Sequence, residues 1–466
     1  MIPITLKNIE KHRKLEIFSF SGGNFLTEFV STVFGGWLFF FYETEIGLDG
    51  WLITLGYTIY AVWNAFNSPI LGYYTNRNTR LTKRWGRHFP WILISAFPWF
   101  IMLFFIYSPP IFNPNNYQWL IFIWFTAFIC LFSFFFTIFA VNYTSLFPKK
   151  FRSGNERRKA SSIIGAISFV AAGFANIFPA FLIQFDKVSS YSYMALFSMI
   201  IATCIMILTI PGIRENKQKI DLDFNLSHQK ENPKFLKSLI YALKQRNFVV
   251  IIIVYFLNLI IMKSIGAAFP YAVKYIFNAP AITIALISLF YIIGAVVSMP
   301  LWTKIGNTIN DNKKLLLISG ILMAFSLVFL LFVWDILSSL PGAFFYGFCF
   351  AGFWTIITLT INADVLDEIA VETGERNESI YMGIRGFFVN FSIVAQSFVF
   401  TIIHKATGFI EDLEVQTELA QWGIRFTLAL IPLICAILAL IIFWKIYNIT
   451  PEKVKHNRKR LEELNI

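Results

Sequence analysis

The stretch Trp63–Leu93, WNAFNSPILGYYTNRNTRLTKRWGRHFPWIL, decides the fold. It joins the end of one apolar run to the start of another through a short loop carrying Arg77, Arg80, Lys83, Arg84 and Arg87. Lys and Arg collect in the cytoplasmic loops of membrane proteins, so this pattern predicts two membrane helices joined by a cytoplasmic turn. Asn64 and Ser68 lie four residues apart, on one helix face and about one turn from each other. Asn67 and the helix-weakening Pro69 stand beside them.

The rest of the chain extends the pattern. Of its 466 residues 57% are apolar, 18% aromatic and only 14% charged, which excludes a soluble domain of this size. A bilayer core of roughly 30 Å needs about 20 helical residues, and such runs recur near 17–42, 51–75, 91–107, 118–147, 162–184, 191–213, 247–276, 281–302, 315–334, 341–363, 380–404 and 424–444. Continuous runs such as Trp119 to Val141 rule out the short alternating segments of a membrane β-barrel. The expected fold is all-α, with twelve transmembrane helices in two six-helix bundles.

The division falls near the middle. Residues 1–213 form the first bundle, 214–246 a linker with eight basic residues, 247–444 the second bundle and 445–466 a basic tail. SMPLWTKIGNTINDNKKLLLISG at 298–320 echoes the opening stretch, as two related bundles would. In the linker, FLKSLIYALKQR at 235–246 has helical spacing. It is either an interfacial helix on an anionic leaflet or a run-in to span seven.

The net charge of +12 is sorted by side. Thirty-three of the 39 Lys and Arg fall in the tails and in the loops on the termini's side. Lys187, Lys274, Lys405 and Arg425 fall opposite, and Lys263 and Arg385 inside spans. The chain is therefore expected in a cell membrane with both termini cytoplasmic and its basic loops against anionic headgroups. Nucleic acid is not an expected partner. The four cysteines lie in predicted spans without CxxC or His-Cys spacing, so no disulfide, metal or cofactor is expected. The first seventeen residues lack the features of a removable leader.

Four blocks carry a family resemblance: SGGNFLTEFV…FFFYETEIGL (21–48), WNAFNSPILG…WGRHFPWIL (63–93), NYTSLFPKKFRSGNERR (142–158) and ADVLDEIAVETGERNES (363–379). The chain resembles the glycoside-pentoside-hexuronide:cation symporters, the melibiose-carrier branch of the major facilitator superfamily. The resemblance implies that fold, alternating access, and a solute site near mid-membrane. In that family the second-span block reads WDAxNDP, and its acidic residues serve a Na⁺ or H⁺ site. Asn64 and Ser68 replace them here, leaving oxygen atoms without charge; hard cations prefer carboxylate and carbonyl oxygen. Weak Na⁺ binding is expected, with H⁺ coupling or facilitated diffusion as the alternatives.

The resemblance also places Glu28 where the family has an acidic residue contacting sugar hydroxyls. An ionisable group at that depth needs a partner or hydration, and an ion pair with Lys263 or Arg385 is one expectation. Desolvation favours a protonated carboxyl group, which makes Glu28 a candidate proton carrier. Other sugar-side positions are changed, with Ala140, Thr144, Gly165 and Asn390 where the family has an acid, an aromatic, an arginine and a lysine.

The candidate solute-binding set is Glu28, Asn64, Asn67, Ser68, Asn390, Arg385, Lys263, Trp37 and Tyr60. For Asn64 and Ser68 the alternative is a hydrogen-bonded packing face, and for Trp37 and Tyr60 it is apolar bulk. A second set stands at cytoplasmic helix ends: Arg77, Arg84, Arg87, Glu156, Arg157, Asp364, Asp367, Arg376 and Glu378. These complementary charges suit a gate that repacks between states; the alternative is a solvated rim worth under about 1 kcal/mol per pair.

The expected function is secondary active transport of a small polar solute, a sugar or glycoside by resemblance. A lysolipid or amphiphile carrier of the same family and a non-transporting solute sensor are the alternatives. No HExxH, GxSxG or P-loop marks an enzyme.

Overall fold

The computed structural model describes residues 14–75, 85–110, 114–151, 154–215, 235–374, 378–411, 413 and 415–464. By its contacts the chain divides into two compact units, Met1–Lys230 and Glu231–Ile466. Among the described residues, eleven helices are long and apolar enough to cross a bilayer. The second expected span is also present, as the 26-residue helix Gly50–Thr75, whose apolar run is diluted by two asparagines, a serine and four tyrosines.

The N-terminal unit comprises α1 (Lys14–Phe40), α2 (Gly50–Thr75), α3 (Phe89–Ile106), α4 (Pro114–Lys150), α5 (Gly154–Leu182) and α6 (Val188–Ile213). α1 packs on α5 and α6, while α4 packs on α2 and α3. Apolar burial gains little between helices already in lipid, so close fit and interhelical hydrogen bonds hold such bundles. The Tyr143 hydroxyl of α4 donates to the Phe20 carbonyl of α1 at 2.7 Å. Ser19 of α1 donates to the Leu208 carbonyl at 2.6 Å and accepts from the Gly212 amide at 2.7 Å.

The C-terminal unit opens with α7 (Phe235–Lys244), which realises the helical spacing of the linker's end. It continues through α8 (Arg246–Tyr275), α9 (Thr283–Ile309), α10 (Asn312–Leu331), α11 (Ile336–Thr355), α12 (Asn362–Thr373), α13 (Glu378–Val389), α14 (Ser392–Thr407), α15 (Glu418–Arg425) and α16 (Ile431–Ile446). α9 and α11 cross closely at two glycines. A Cβ on Gly294 would stand 2.1 Å from the Phe344 carbonyl oxygen, and one on Gly347 would stand 2.1 Å from that of Tyr291. Only hydrogen fits at either point.

Three departures from regular helix are not visible in hydropathy. π-helical turns occupy Phe41–Glu45, Ile356–Ile361 and Phe426–Leu430. The eleventh span, read from sequence as one helix, is interrupted at Asn390–Phe391. The basic tail also contains a helix, α17 (Pro451–Leu464), which packs on α12.

Candidate functional site

Each unit presents its own polar face. In the N-terminal unit, Glu28 is exposed on α1 and has no hydrogen-bond or ion-pair partner among that unit's described residues. One turn earlier the Asn24 side chain donates to the Ser168 hydroxyl of α5 at 3.3 Å. Two turns beyond Glu28 comes Gly35, and a Cβ there, or on Gly165 three residues before Ser168, would meet nothing within 4 Å. The carboxylate thus stands on an open helix face beside an amide and a hydroxyl, the groups that exchange hydrogen bonds with a polar solute.

The α2 candidates lie against α4. Tyr60, Asn64 and Asn67 share one face at helical spacing. Asn67 is buried and donates to the Ser133 carbonyl and the Thr137 hydroxyl, both at 3.3 Å, so its amide is committed to joining α2 and α4. Asn64 is buried next to it, and the Tyr60 ring lies 6.1 Å from that of Phe34. The side chain of Ser68 lies outside the described residues. Trp37 is buried edge-on to Phe40 and Tyr191, at 6.5 and 6.2 Å.

In the C-terminal unit both intramembrane cations are held by neutral partners. The Lys263 ammonium of α8 donates to the Ser392 hydroxyl at 2.9 Å, at the first residue after the break in the eleventh span. Arg385 of α13 donates to the Asn362 side-chain oxygen at 3.0 Å, and its guanidinium lies 4.4 Å from the centre of the Tyr255 ring. Tyr255 meets Trp354 at 5.3 Å, and Trp354, Phe350 and Tyr346 stack at successive turns of α11, with Tyr291 5.8 Å from Tyr346. Asn390, at the break, is half-buried.

The π turn at Ile356–Ile361 explains how Trp354 and Asn362 serve one site. Eight residues of α-helix would leave them about 80° apart; the one extra residue of a π turn returns them to within about 20°. Asn362, Tyr255, Trp354 and Ser392 were not legible as site residues from sequence. The one signal for Asn362 is a lone amide in the apolar run IITLTIN.

The charged helix ends are organised within each unit. In the C-terminal unit Asp364, Glu368 and Glu372 line one face of α12 at successive turns. Asp364 accepts from Asn312 at 2.5 Å and lies 3.9 Å from Arg458 of α17. Glu368 accepts from Asn247 at 2.7 Å and pairs with Lys453 of α17. Glu372 accepts from Gln245 at 2.8 Å. Asp367 is half-buried beside them.

In the N-terminal unit the backbone N–H groups of Arg87, His88 and Phe89 all reach the Glu215 carboxylate, at 3.1, 2.7 and 3.2 Å. Sequence reasoning passed over Glu215, Glu368 and Glu372. Of the gate set, Arg77, Arg84 and Arg376 lie outside the described residues, as do the side chains of Glu156, Arg157 and Glu378.

Among the described residues, the eleven candidate spans and the helix Gly50–Thr75 fall in two units, each with a polar patch, as in a multi-pass membrane transporter. Residues 19–451 match the family described as MFS/sugar transport protein, and the chain belongs to that family. It is 23% identical over 502 residues to the sodium-dependent lysophosphatidylcholine symporter 1-A of Danio rerio, covering 98% of this chain and 90% of that one. It is 25% identical over 322 residues to the glucuronide carrier protein homolog of Escherichia coli (strain K12), covering 64% and 66%. Among solved structures, a D-xylose-proton symporter superposes with a TM-score of 0.65 at 14% identity, covering 93% of this chain and 97% of that chain.

Proposed function

We propose that this transporter carries a small polar solute of the sugar or glycoside class by alternating access, with H⁺ rather than Na⁺ as the coupling ion. It works in the cell membrane with both termini cytoplasmic, its basic loops against anionic headgroups, and it catalyses no covalent reaction. Glu28 carries the reading: an exposed carboxylate without an ion pair among its unit's described residues, beside the Asn24–Ser168 hydrogen bond, suits both solute hydroxyls and a proton. Asn64 and Asn67 support the choice of ion, since neither supplies a charge and the Asn67 amide is occupied by α4.

The test is uptake of radiolabelled glycosides by purified protein in liposomes under imposed pH or Na⁺ gradients. Accumulation driven by inward protons and indifferent to Na⁺ is expected. Accumulation that requires Na⁺ would refute the coupling, and solute binding without flux would favour a sensor. The aromatic ladder from Tyr291 to Tyr255 supports an amphiphile carrier as the second reading. Uptake of a lysolipid that glycosides do not inhibit would select it.

A further inference from the structure

We infer that Lys263 and Arg385 form an anion subsite in the C-terminal unit, so that the solute bears an oxyanion, a carboxylate or a phosphate ester. The inference rests on the transport reading and narrows its substrate class.

The first support is charge. Lys263 lies near the middle of α8 and Arg385 in α13, both within spans, where a charged group is costly unless it is neutralised or hydrated. Their partners among the unit's described residues are all neutral: Ser392 for Lys263, and Asn362 with the Tyr255 ring for Arg385. No carboxylate among the unit's described residues pairs with either; pairs found there include Lys314 with Asp311, Lys453 with Glu368, Arg458 with Asp364 and Arg460 with Glu463. Two positive charges therefore share one helix seam without a counter-charge among the described residues of their own bundle.

The second support is unused hydrogen-bonding capacity. Guanidinium has five N–H donors in a planar fork matched to carboxylate and phosphate. Arg385 gives Asn362 a bond from one nitrogen, and the Tyr255 face holds its plane. Lys263 spends one proton on Ser392. Neutral partners fix both groups in place without cancelling their charge, an arrangement suited to an anion that comes and goes.

The third support is room. Gly386 adjoins Arg385, and Gly266 follows Lys263 by three residues on the same helix face. A Cβ at any of these positions would meet nothing within 4 Å. The cations therefore border open volume. Tyr255 and Lys263 are eight residues apart on α8, and Arg385 and Ser392 seven apart on the eleventh span, so the two charges lie on the order of 10 Å apart along the seam. A compact oxyanion engages one at a time, with Arg385 its principal partner. The uncharged body of the solute then falls against the aromatic ladder of Tyr255, Trp354 and Phe350.

The test uses the full chain, purified and also reconstituted in liposomes, with two probe pairs that differ in the anion. 4-Nitrophenyl glucuronide is set against 4-nitrophenyl glucoside, and a lysophosphatidate against its monoacylglycerol. In at least one pair the anionic member is expected to bind about tenfold more tightly, a difference that one bidentate charge-assisted contact to Arg385 supplies. Arg385→Gln and Lys263→Gln should each shrink that preference, the anionic member losing more affinity than the neutral one. Arg385→Lys, which keeps charge but loses the fork, should fall between.

A response in the sugar pair identifies a sugar acid as the source of the oxyanion; one in the lipid pair identifies a lysophosphate. Equal binding within both pairs, binding of neither member of either pair, or a preference that survives both Gln substitutions overturns the subsite. The wild-type comparison stands even if a variant does not fold. Selective anion binding without flux would keep the subsite and sink the transport reading. Flux of the neutral glucoside without anion preference would do the reverse.

Discussion

The contact between Glu215 and the start of α3 gives a stability prediction that can be worked through. His88 is the residue before the helix and offers no side-chain cap, and Pro90 lies in the first turn. The amides of Arg87, His88 and Phe89 instead find the Glu215 carboxylate, whose sequence separation from them is 126 to 128 residues. Loss of a helix cap costs about 1 kcal/mol, and an anion at a helix N-terminus contributes roughly another 0.3–1 kcal/mol. Glu215→Ala should therefore cost about 2 kcal/mol, and Glu215→Gln, which keeps an acceptor but no charge, about 1 kcal/mol.

Gly86 supplies a second arm. Its φ is +99°, and a Cβ there would stand 2.7 Å from the Glu215 carboxyl carbon and 2.8 Å from its oxygen. Gly86→Ala should cost about 2 kcal/mol or more, part from left-handed backbone and part from the clash. In Gly86→Ala, Glu215→Ala the carboxyl group leaves the clash but the Cβ of residue 215, 2.9 Å from the added methyl, stays, so the combined cost should fall short of the sum by about 0.5–1 kcal/mol. Equilibrium unfolding in mixed micelles, followed by tryptophan fluorescence, measures all four corners of the cycle. Glu215→Ala within about 0.3 kcal/mol of wild type, or strict additivity, would refute the capping role.

Further outcomes follow from other sites. Glu28→Gln should abolish the pH dependence of uptake while solute binding persists; an unchanged pH profile in proteoliposomes removes Glu28 as proton carrier. Gly347→Ala should destabilise the C-terminal unit by about 2 kcal/mol or more, because its Cβ meets a backbone carbonyl, whereas Gly383→Ala should leave thermal stability unchanged. Equal melting temperatures for the two would contradict the close crossing of α9 and α11. Glu368→Ala removes the carboxylate shared by Asn247 and Lys453, at a cost of about 2–3 kcal/mol. Limited proteolysis should then cut α17 earlier than in wild type, and identical digestion would show that the tail is held by other contacts.

Hydropathy carried nearly all of the architecture, because bilayer thickness imposes a length and an apolar content on each span that composition reports directly. Even α2, diluted by Asn64, Asn67 and its tyrosines, was legible from its neighbours. The site was less accessible. Lys263 and Arg385 stand out in any reading as charges inside spans, yet their partners depend on phase and register. Asn362 reaches Arg385 through a π turn that shifts the helix by one residue, and no periodicity announces such a turn. Asp364 belonged to a recognisable block, but Glu368 and Glu372 gained meaning only when α17 was seen packed on α12, a pairing set by tertiary contact. Glu215 was hidden for the same reason, since its three donors are backbone groups that any sequence supplies.

The docked tail also dictates an order of events during synthesis. Lys453 lies 85 residues after Glu368, so at about 5–20 residues per second the acidic face of α12 waits roughly 4–17 s for its last cations to leave the ribosome. Until then it is held by neutral hydrogen-bond partners, Gln245, Asn247 and Asn312. A premature stop after Asn448 would leave that waiting state permanent, with two buried carboxylates short of their cations and the bundle marked for quality control although every membrane span had been made.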